Sequence, residues 1–260
     1  MPRNGAAERQ RETVPRNTPH GGNGSRAECV ALKVTEKIRV DIWSDIACPW
    51  CYIGKHRFEQ GVSVFAEQHP DVEIEVESHS YELAPDTPEG FSGGEVDFLV
   101  KHKGMPRERV EEMLAEMTRL GASDGIGFRF DALRHVNTRR AHRLLHLAKA
   151  EGRQAEVQER LFAAYFAEGE DLSDPETLAA LAAEAGLDRE AARAALDDES
   201  LGDAVDADIT RARMLGVSGV PFFLFDQKYA VPGAQPADTF ADVLGQVLQL
   251  ARGDERRDAR

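Results

Sequence analysis

Two cysteines separated by a proline and a tryptophan, Cys48-Pro49-Trp50-Cys51, are the residues of this chain best suited to covalent chemistry. A thiol pair at this spacing can pass between dithiol and disulfide, with one sulfur attacking and the other closing the ring. Upstream, Ile38, Val40 and Ile42 alternate with Arg39 and Asp41 and lead to Trp43, a period-two pattern that predicts a buried strand. Downstream, Phe58, Val62 and Phe65 recur at helical spacing. Cys48 is therefore expected at a helix N-terminus, with Pro49 at the first helical position, where a missing N–H costs nothing. Unpaired backbone N–H groups and the positive end of the helix dipole favour an anion there, and a thiolate is that anion. Cys48 is expected to be the exposed nucleophile. Cys51, one turn further on, is placed to resolve.

Other uses of a CxxC pair fit less well. Structural zinc wants four ligands, usually from a second CxxC or a histidine pair. The only other cysteine is Cys29, and His56 lies five positions past Cys51 on the same helix. No metal site is expected. A purely structural disulfide within CxxC would close too small a ring to stabilise much.

Net charge of −14 and a pI near 5.1 argue against a nucleic-acid surface. No run approaches the roughly 18 apolar residues of a membrane span. The N-terminal arginines are not followed by an apolar stretch, so a secretory signal is not expected. With three cysteines in 260 residues, the expected compartment is the cytoplasm, where disulfides are usually catalytic. Residues 1–36, rich in Arg, Asn, Gly, Pro and Glu, read as a disordered tail with Cys29 an idle thiol. Residues 253–260 are charged and expected to fray.

Val72, Ile74 and Val76 alternate with Glu73, Glu75 and Glu77, predicting a second strand parallel to the first across the CxxC helix. Between 92 and 203 the pattern is helical, without convincing strands. Val110 to Met117 starts after Pro106 and ends before Gly121; Ala141 to Ala148 stops at Gly152. Leu161 to Phe166 follows, and then a helix opened by a capping box at Ser173–Glu176. A helix bearing Val205, Ile209, Ala212 and Leu215 ends at Gly216. Strands Phe222–Phe225 and Lys228–Val231 flank Asp226-Gln227 as a hairpin, and a helix from Pro236 to Leu250 closes the order. The expected architecture is α/β, a thioredoxin-like fold split by an inserted α-helical domain. Its two halves are 37–91 and 204–252, and the insert is 92–203.

The segment Trp43-Ser44-Asp45-Ile46-Ala47-Cys48-Pro49-Trp50-Cys51-Tyr52-Ile53-Gly54 resembles the active-site segment of DsbA-like oxidoreductases, specifically the FrnE branch. Gly216-Val217-Ser218-Gly219-Val220-Pro221-Phe222-Phe223 resembles that family's cis-proline segment. Asn137-Thr138 with Ala141-His142-Arg143, and Gly233-Ala234-Gln235-Pro236, also fit its pattern. The resemblance spans residues 37 to about 250. It implies a cis peptide at Val220–Pro221, a loop packed beside the CxxC, and substrate pairing with the backbone of Val220 as with an added strand. Pairing through the backbone suits broad specificity. Without the resemblance, Pro221 reads as an ordinary strand-leading proline.

The resemblance thus implies a thiol–disulfide oxidoreductase with isomerase capacity. Cys48 and Cys51 are its catalytic residues, and Pro49, Trp50, Val220 and Pro221 its substrate contacts. No cofactor is required; glutathione or a thioredoxin-type system is the expected recycling partner, and protein or peptide disulfides are the expected substrates. One rival is the glutathione-dependent 2-hydroxychromene-2-carboxylate isomerase and kappa glutathione transferase group, whose members typically carry serine where Cys48 stands. Another is a non-catalytic, redox-sensing binding module. Trp50 reads as an apolar lip where many DsbA-type enzymes have histidine. Asp45 reads as a loop cap rather than a proton carrier, Lys55 and His56 as a solvated helix face, and His142 as a packing residue facing the cleft.

Overall fold

The computed structural model describes residues 36–258. Residues 1–35, with Cys29, lie outside the described residues, so the expectation of a disordered tail is not addressed by it; Glu36 opens the first strand. That strand, β1 (Glu36–Ser44), is followed by α1 (Pro49–Gln68) and β2 (Val72–Ser80), and β1 and β2 pair in parallel with Val40 beside Val76. Near the other end of the chain, β5 (Phe222–Phe225) pairs antiparallel with β1, and β6 (Tyr229–Pro232) with β5. The four strands lie in the order β2-β1-β5-β6, so β1 is interior and its last five residues are all buried.

One face of the sheet is apolar. Ile38, Val40, Ile42, Phe223 and Phe225 meet Phe58 and Phe65 of α1 and Phe240, Leu244 and Val247 of α9 (Ala237–Asp258). Fully burying each of these side chains is worth about 1.5–3 kcal/mol, so this layer fixes α1 and with it the CxxC. The opposite face is covered by α8 (Glu199–Met214), which sets Ala212 on Trp43 and Leu224 and accepts the Trp43 indole N–H at the Asp208 carbonyl, 3.1 Å away.

The inserted segment holds β3 (Ser92–Gly94), α2 (Glu95–Lys103), α3 (Arg107–Ser123), β4 (Arg134–Val136), α4 (Arg139–Ala150), α5 (Gln154–Ala163), α6 (Pro175–Glu184) and α7 (Arg189–Ala195). It forms one compact unit with the sheet. Its core is continuous with the start of α1: Ile46, Cys48, Cys51, Tyr52 and Ile53 pack in the same cluster as Met117, Leu144, Phe162 and Phe166.

Several expectations are corrected. The segment is not purely helical: β3 and β4 pair antiparallel, three residues each, too short to show alternation. Gly121 lies inside α3, where a Cβ would come 2.4 Å from the Phe128 ring; it permits close packing and does not stop the helix. The cap of α6 is Asp174, which accepts from the N–H groups of Glu176 and Thr177, because Pro175 takes the first helical position. Helix α8 begins at Glu199 and runs unbroken through the boundary expected at 203/204. Helix α9 runs through Gly253 to Asp258, and Arg252 pairs with Glu36 of β1. Residues 254–257, Asp-Glu-Arg-Arg, include good helix formers.

Candidate active site

After β1 the chain turns sharply: the Cys48 N–H donates to the Asp45 carbonyl at 3.1 Å, and the Ala47 N–H to Asp45 Oδ1 at 3.3 Å. Cys48 is then the N-cap of α1, in extended backbone, with no side chain capping it and no acidic residue in the first turn. Pro49 stands at the first helical position. The Cys51 and Tyr52 N–H groups both donate to the Cys48 carbonyl, at 3.0 and 3.3 Å.

Both thiols are free. The Cys48 Sγ lies 3.7 Å from the Val220 carbonyl, which accepts its S–H. Val220–Pro221 is a cis peptide, as the resemblance implied. Burial, and then the hydrogen bond and charge of neighbouring Cys48, push the Cys51 thiol well above its ordinary range. The sequence presented Cys48 as exposed; in the structure it is only 4% exposed. The Val220 carbonyl faces its sulfur, and Leu83 and Ala84 share the wall beside it. Trp50 is the exposed residue of the four, at 44%.

Three supports hold this arrangement. First, Gly54 allows Pro221 to lie against α1: a Cβ there would sit 2.8 Å from Pro221 Cγ and 3.4 Å from Ala234 Cβ. The Gly233 N–H donates to the Pro221 carbonyl at 2.8 Å, and Arg57 holds the Ala234 carbonyl at 3.0 Å. These contacts account for the Gly233-Ala234-Gln235-Pro236 segment. Gly54→Ala should therefore push the proline loop off α1. We expect a fall in disulfide reduction of about tenfold or more with far-ultraviolet circular dichroism preserved; undiminished turnover would show that the loop need not seat on Gly54.

Second, Asp45 is buried and accepts from the Leu83 N–H at 2.7 Å, from Thr138 and, at 3.3 Å, from His142 Nε2. Burial opposes its charge, but the His142 and Leu83 hydrogen bonds hold the carboxyl below the usual carboxylate range. It is an anchor between β1, the 81–84 segment and α4. Asn137 completes the same clamp: it donates to the Thr87 carbonyl and accepts from the Arg139 N–H that opens α4.

Third, α1 is tied to α5 through Glu159. Tyr52 Oη donates to it at 2.9 Å, Lys55 Nζ lies 2.5 Å from it, and His56 Nε2 3.5 Å. Burial opposes the charge on Glu159, but the His56 and Lys55 contacts draw its pKa down to about 2. Lys55 and His56 thus face the inserted helices, not solvent; the Lys55 side chain is 13% exposed. The Tyr52 ring stacks between these helices, on Phe162 at 4.9 Å and Phe166 at 6.0 Å. A widened helical turn at Ala164–Glu168 follows Phe162 and carries Phe166.

Sequence reasoning missed two further features. A cavity of about 220 Å³ opens beside Cys48, bounded by Pro49, Trp50 and Leu83 on one side and by α2, α3 and β4 on the other. Behind the sheet lies a buried ionic cluster: His79 Nε2 is 2.7 Å from Asp41, and its Nδ1 2.8 Å from Asp208. Asp41, Glu77 and His79 are the one trio among the described residues with metal-ligand spacing. Arg39 at 3.0 Å and Arg211 at 3.4 Å already serve Asp41, as does the Gln227 amide.

A family model for the DSBA-like thioredoxin domain matches residues 39–245. A solved structure described as a probable DsbA oxidoreductase from Streptomyces coelicolor is 39% identical and superposes with a TM-score of 0.76, covering 82% of this chain and 90% of that one. The uncharacterized protein YwbO of Bacillus subtilis is 26% identical over 205 residues, 78% of this chain and 94% of its own. Two more distant structures share the fold: the cytosolic disulfide reductase DsbM of Pseudomonas aeruginosa, 19% identical with a TM-score of 0.59 over 82% of this chain and 99% of its own, and a 2-hydroxychromene-2-carboxylate isomerase, 18% identical with a TM-score of 0.59 over 84% and 98%. With a free thiol pair at the start of α1 and the matching proline loop beside it, this chain belongs to the DSBA-like thioredoxin domain family and is a DsbA-like thiol–disulfide oxidoreductase.

Proposed function

We propose that the protein exchanges disulfides with protein and peptide substrates through Cys48 and Cys51, with isomerase capacity, as a member of the FrnE-type branch. The observation that carries this reading is the contact of the Cys48 sulfur with the Val220 carbonyl, 3.7 Å apart. It supports a site in which the attacking sulfur lies beside the Val220 backbone, where an extended peptide would pair regardless of its side chains.

In the reductive direction the Cys48 thiolate attacks one sulfur of the substrate disulfide. A Cys48–substrate disulfide forms, and the other substrate sulfur leaves as a thiolate. Cys51 then gives up its proton and attacks Cys48 Sγ, forming the Cys48–Cys51 disulfide and releasing the second substrate thiol. The substrate gains two electrons and the dithiol loses them; the reverse sequence oxidises a substrate dithiol. Isomerisation needs only the first step and its reversal by a different substrate thiol. Glutathione or a thioredoxin-type dithiol returns the pair to its starting state. Trp50, Pro49, Val220 and Pro221 are the proposed substrate contacts. A cytoplasmic location is also proposed, from a composition in which two of three cysteines form the reactive pair.

A 2-hydroxychromene-2-carboxylate isomerase superposes as well as the disulfide reductase DsbM, both with a TM-score of 0.59, so those two folds do not separate the readings and Cys48 itself carries the argument. Insulin reduction with dithiothreitol or glutathione, run beside glutathione conjugation to an aromatic electrophile, separates the two. Catalysed insulin reduction without conjugation is the expected result. Conjugation without reduction would reject the proposal, and inactivity in both would favour the redox-sensing module.

A further inference from the structure

The cavity beside Cys48 is shaped for something other than the disulfide itself. Its walls are the side chains of Phe98, Leu99, Met113, Leu114, Met117 and Val136, and Trp50 and Leu83 stand exposed at its rim. Most of the polar groups that border it are already paired: Asp45 with the Leu83 N–H, Glu95 with His135 Nδ1 at 3.0 Å, and Lys103 with the Leu83 carbonyl at 3.4 Å, which leaves His135 Nε2 as a buried polar atom without a partner in an otherwise apolar wall. At about 220 Å³ it exceeds the ~150 Å³ apolar cavity that suffices to hold benzene. One aromatic or large aliphatic side chain fits; a peptide segment does not. Glutathione, with two carboxylates and no large apolar group, has nothing to fill it.

Position adds the second half of the argument. Cys48 and Pro49 are part of the cavity wall. A disulfide under attack must lie at Cys48 Sγ, so residues adjoining the substrate cysteine are carried to the cavity mouth. The Val220 carbonyl meets the same sulfur without being part of the cavity wall. A substrate strand pairing there has its neighbouring side chains within reach of the opening.

Resting on the exchange function above, we infer that this cavity is a specificity pocket for a bulky apolar side chain next to the substrate cysteine. The preferred substrates are peptide or protein disulfides flanked by phenylalanine, leucine or methionine, with glutathione disulfide a poor substrate. Met113 and Met117 give the pocket unbranched, deformable walls that tolerate several apolar shapes. Recognition at one flanking residue adds selectivity to a backbone edge that has none.

The test uses the full-length Cys51→Ser protein and disulfide-linked peptide dimers that differ only in the residues flanking cysteine: Phe, Leu, Ser, Asp or Lys. Mixed-disulfide formation is followed by quenched mass spectrometry, with glutathione disulfide as a separate arm. Phe- and Leu-flanked peptides should react roughly tenfold to a hundredfold faster than Ser- or Asp-flanked ones. Met113→Trp, at a partly exposed position, should fill the pocket and bring the Phe-to-Ser ratio towards one. Equal rates across the peptides, with exchange otherwise brisk, would overturn the pocket while leaving the exchange function standing. So would a preference that survives Met113→Trp. A preference that vanishes as protein concentration rises would put a second copy of the chain on this face and also overturn the assignment. No reaction with any disulfide, glutathione disulfide included, would overturn the exchange function and the pocket with it.

Discussion

Cys51→Ser is expected to leave Cys48 covalently joined to its substrate. After incubation with an oxidised peptide or glutathione, a non-reducing mass spectrum should show one adduct per chain on Cys48. The adduct persists because the attack that releases it comes from the Cys51 sulfur, and serine is a far poorer nucleophile towards a disulfide. Insulin reduction should fall by about a thousandfold or more, since residues that act as a unit fail as a unit. Cys48→Ser should lose turnover to the same degree yet trap less than a tenth as much adduct. Cys51 is 2% exposed, and its thiol is held protonated by burial and by Cys48. Under the glutathione-dependent isomerase reading the pattern inverts, because Cys48→Ser supplies the residue type of that group and activity survives. Equal trapping by the two variants would reverse the assignment of attacking and resolving sulfurs.

The second large effect is expected behind the sheet. His79 lies between Asp41 and Asp208, with Glu77 at 3.6 Å, Arg211 at 3.4 Å from its Nε2, and His146 at 3.2 Å from the far side of Asp208. Burial disfavours a charge on His79, but its two aspartate hydrogen bonds outweigh this and raise its pKa. Burial likewise opposes the charge on Asp41, which His79 and Arg39 bring down to about 2. The signs differ. Stability contributed by His79 is full below its unfolded value of about 6.5 and is lost as pH rises through the higher folded value. That from Asp41 is full above about 3.9 and is lost as pH falls towards 2. His79→Gln removes the cation between two buried carboxylates and should cost about 3–5 kcal/mol near pH 6. For a chain of this size that is a fall in Tm of roughly 6–20 °C. Melting curves from pH 5 to pH 9 provide the check: the wild type should lose stability above pH 6.5 more steeply than His79→Gln. Parallel curves would mean that folding leaves the proton affinity of His79 unchanged, and a wild type that instead gains stability as pH rises to 6.5 would mean that His79 is neutral when folded.

The parts of this architecture written in local patterns were legible before the structure. Ile38, Val40 and Ile42 announce β1 because one side of it does face a plain apolar layer. The helix from Pro49 is marked by its own first residue, and the helices ending at Gly152 and Gly216 by the left-handed φ of those glycines, +68° and +74°. The DsbA-like architecture followed from that element order together with the two motifs. What stayed hidden depends on contacts far apart in the chain. Asp41 sits in an ordinary alternating strand; His79 of β2 pairs with it, and α8 closes the cluster with Asp208 and Arg211, more than 150 positions later. Lys55 and His56 lie on a polar helix stripe, which Glu159 of α5 turns into an interface. The cavity draws on α1, α2, α3 and β4 at once and has no signature in any one of them. At the hairpin the turn was placed correctly although neither residue is glycine: Asp226 and Gln227 adopt φ of 47° and 58°, held by the Arg39 N–H and by Arg211. The following strand starts at Tyr229, one residue later than the sequence suggests.

The sulfurs of Cys48 and Cys51 belong to the same packed cluster as the inserted helices. Folding and electron transfer therefore form one thermodynamic cycle. The ratio of ring-closure constants in the folded and unfolded chain equals the ratio of folding constants of the oxidised and reduced forms. Whichever redox state that cluster accommodates better melts later, and each 1.4 kcal/mol of difference corresponds to about 30 mV of potential. Substitutions at Tyr52, Phe162 or Phe166, all buried in that cluster, thus become tuning screws for oxidising strength. Two calorimetric traces, one for each redox state, measure how far the helices bias the pair.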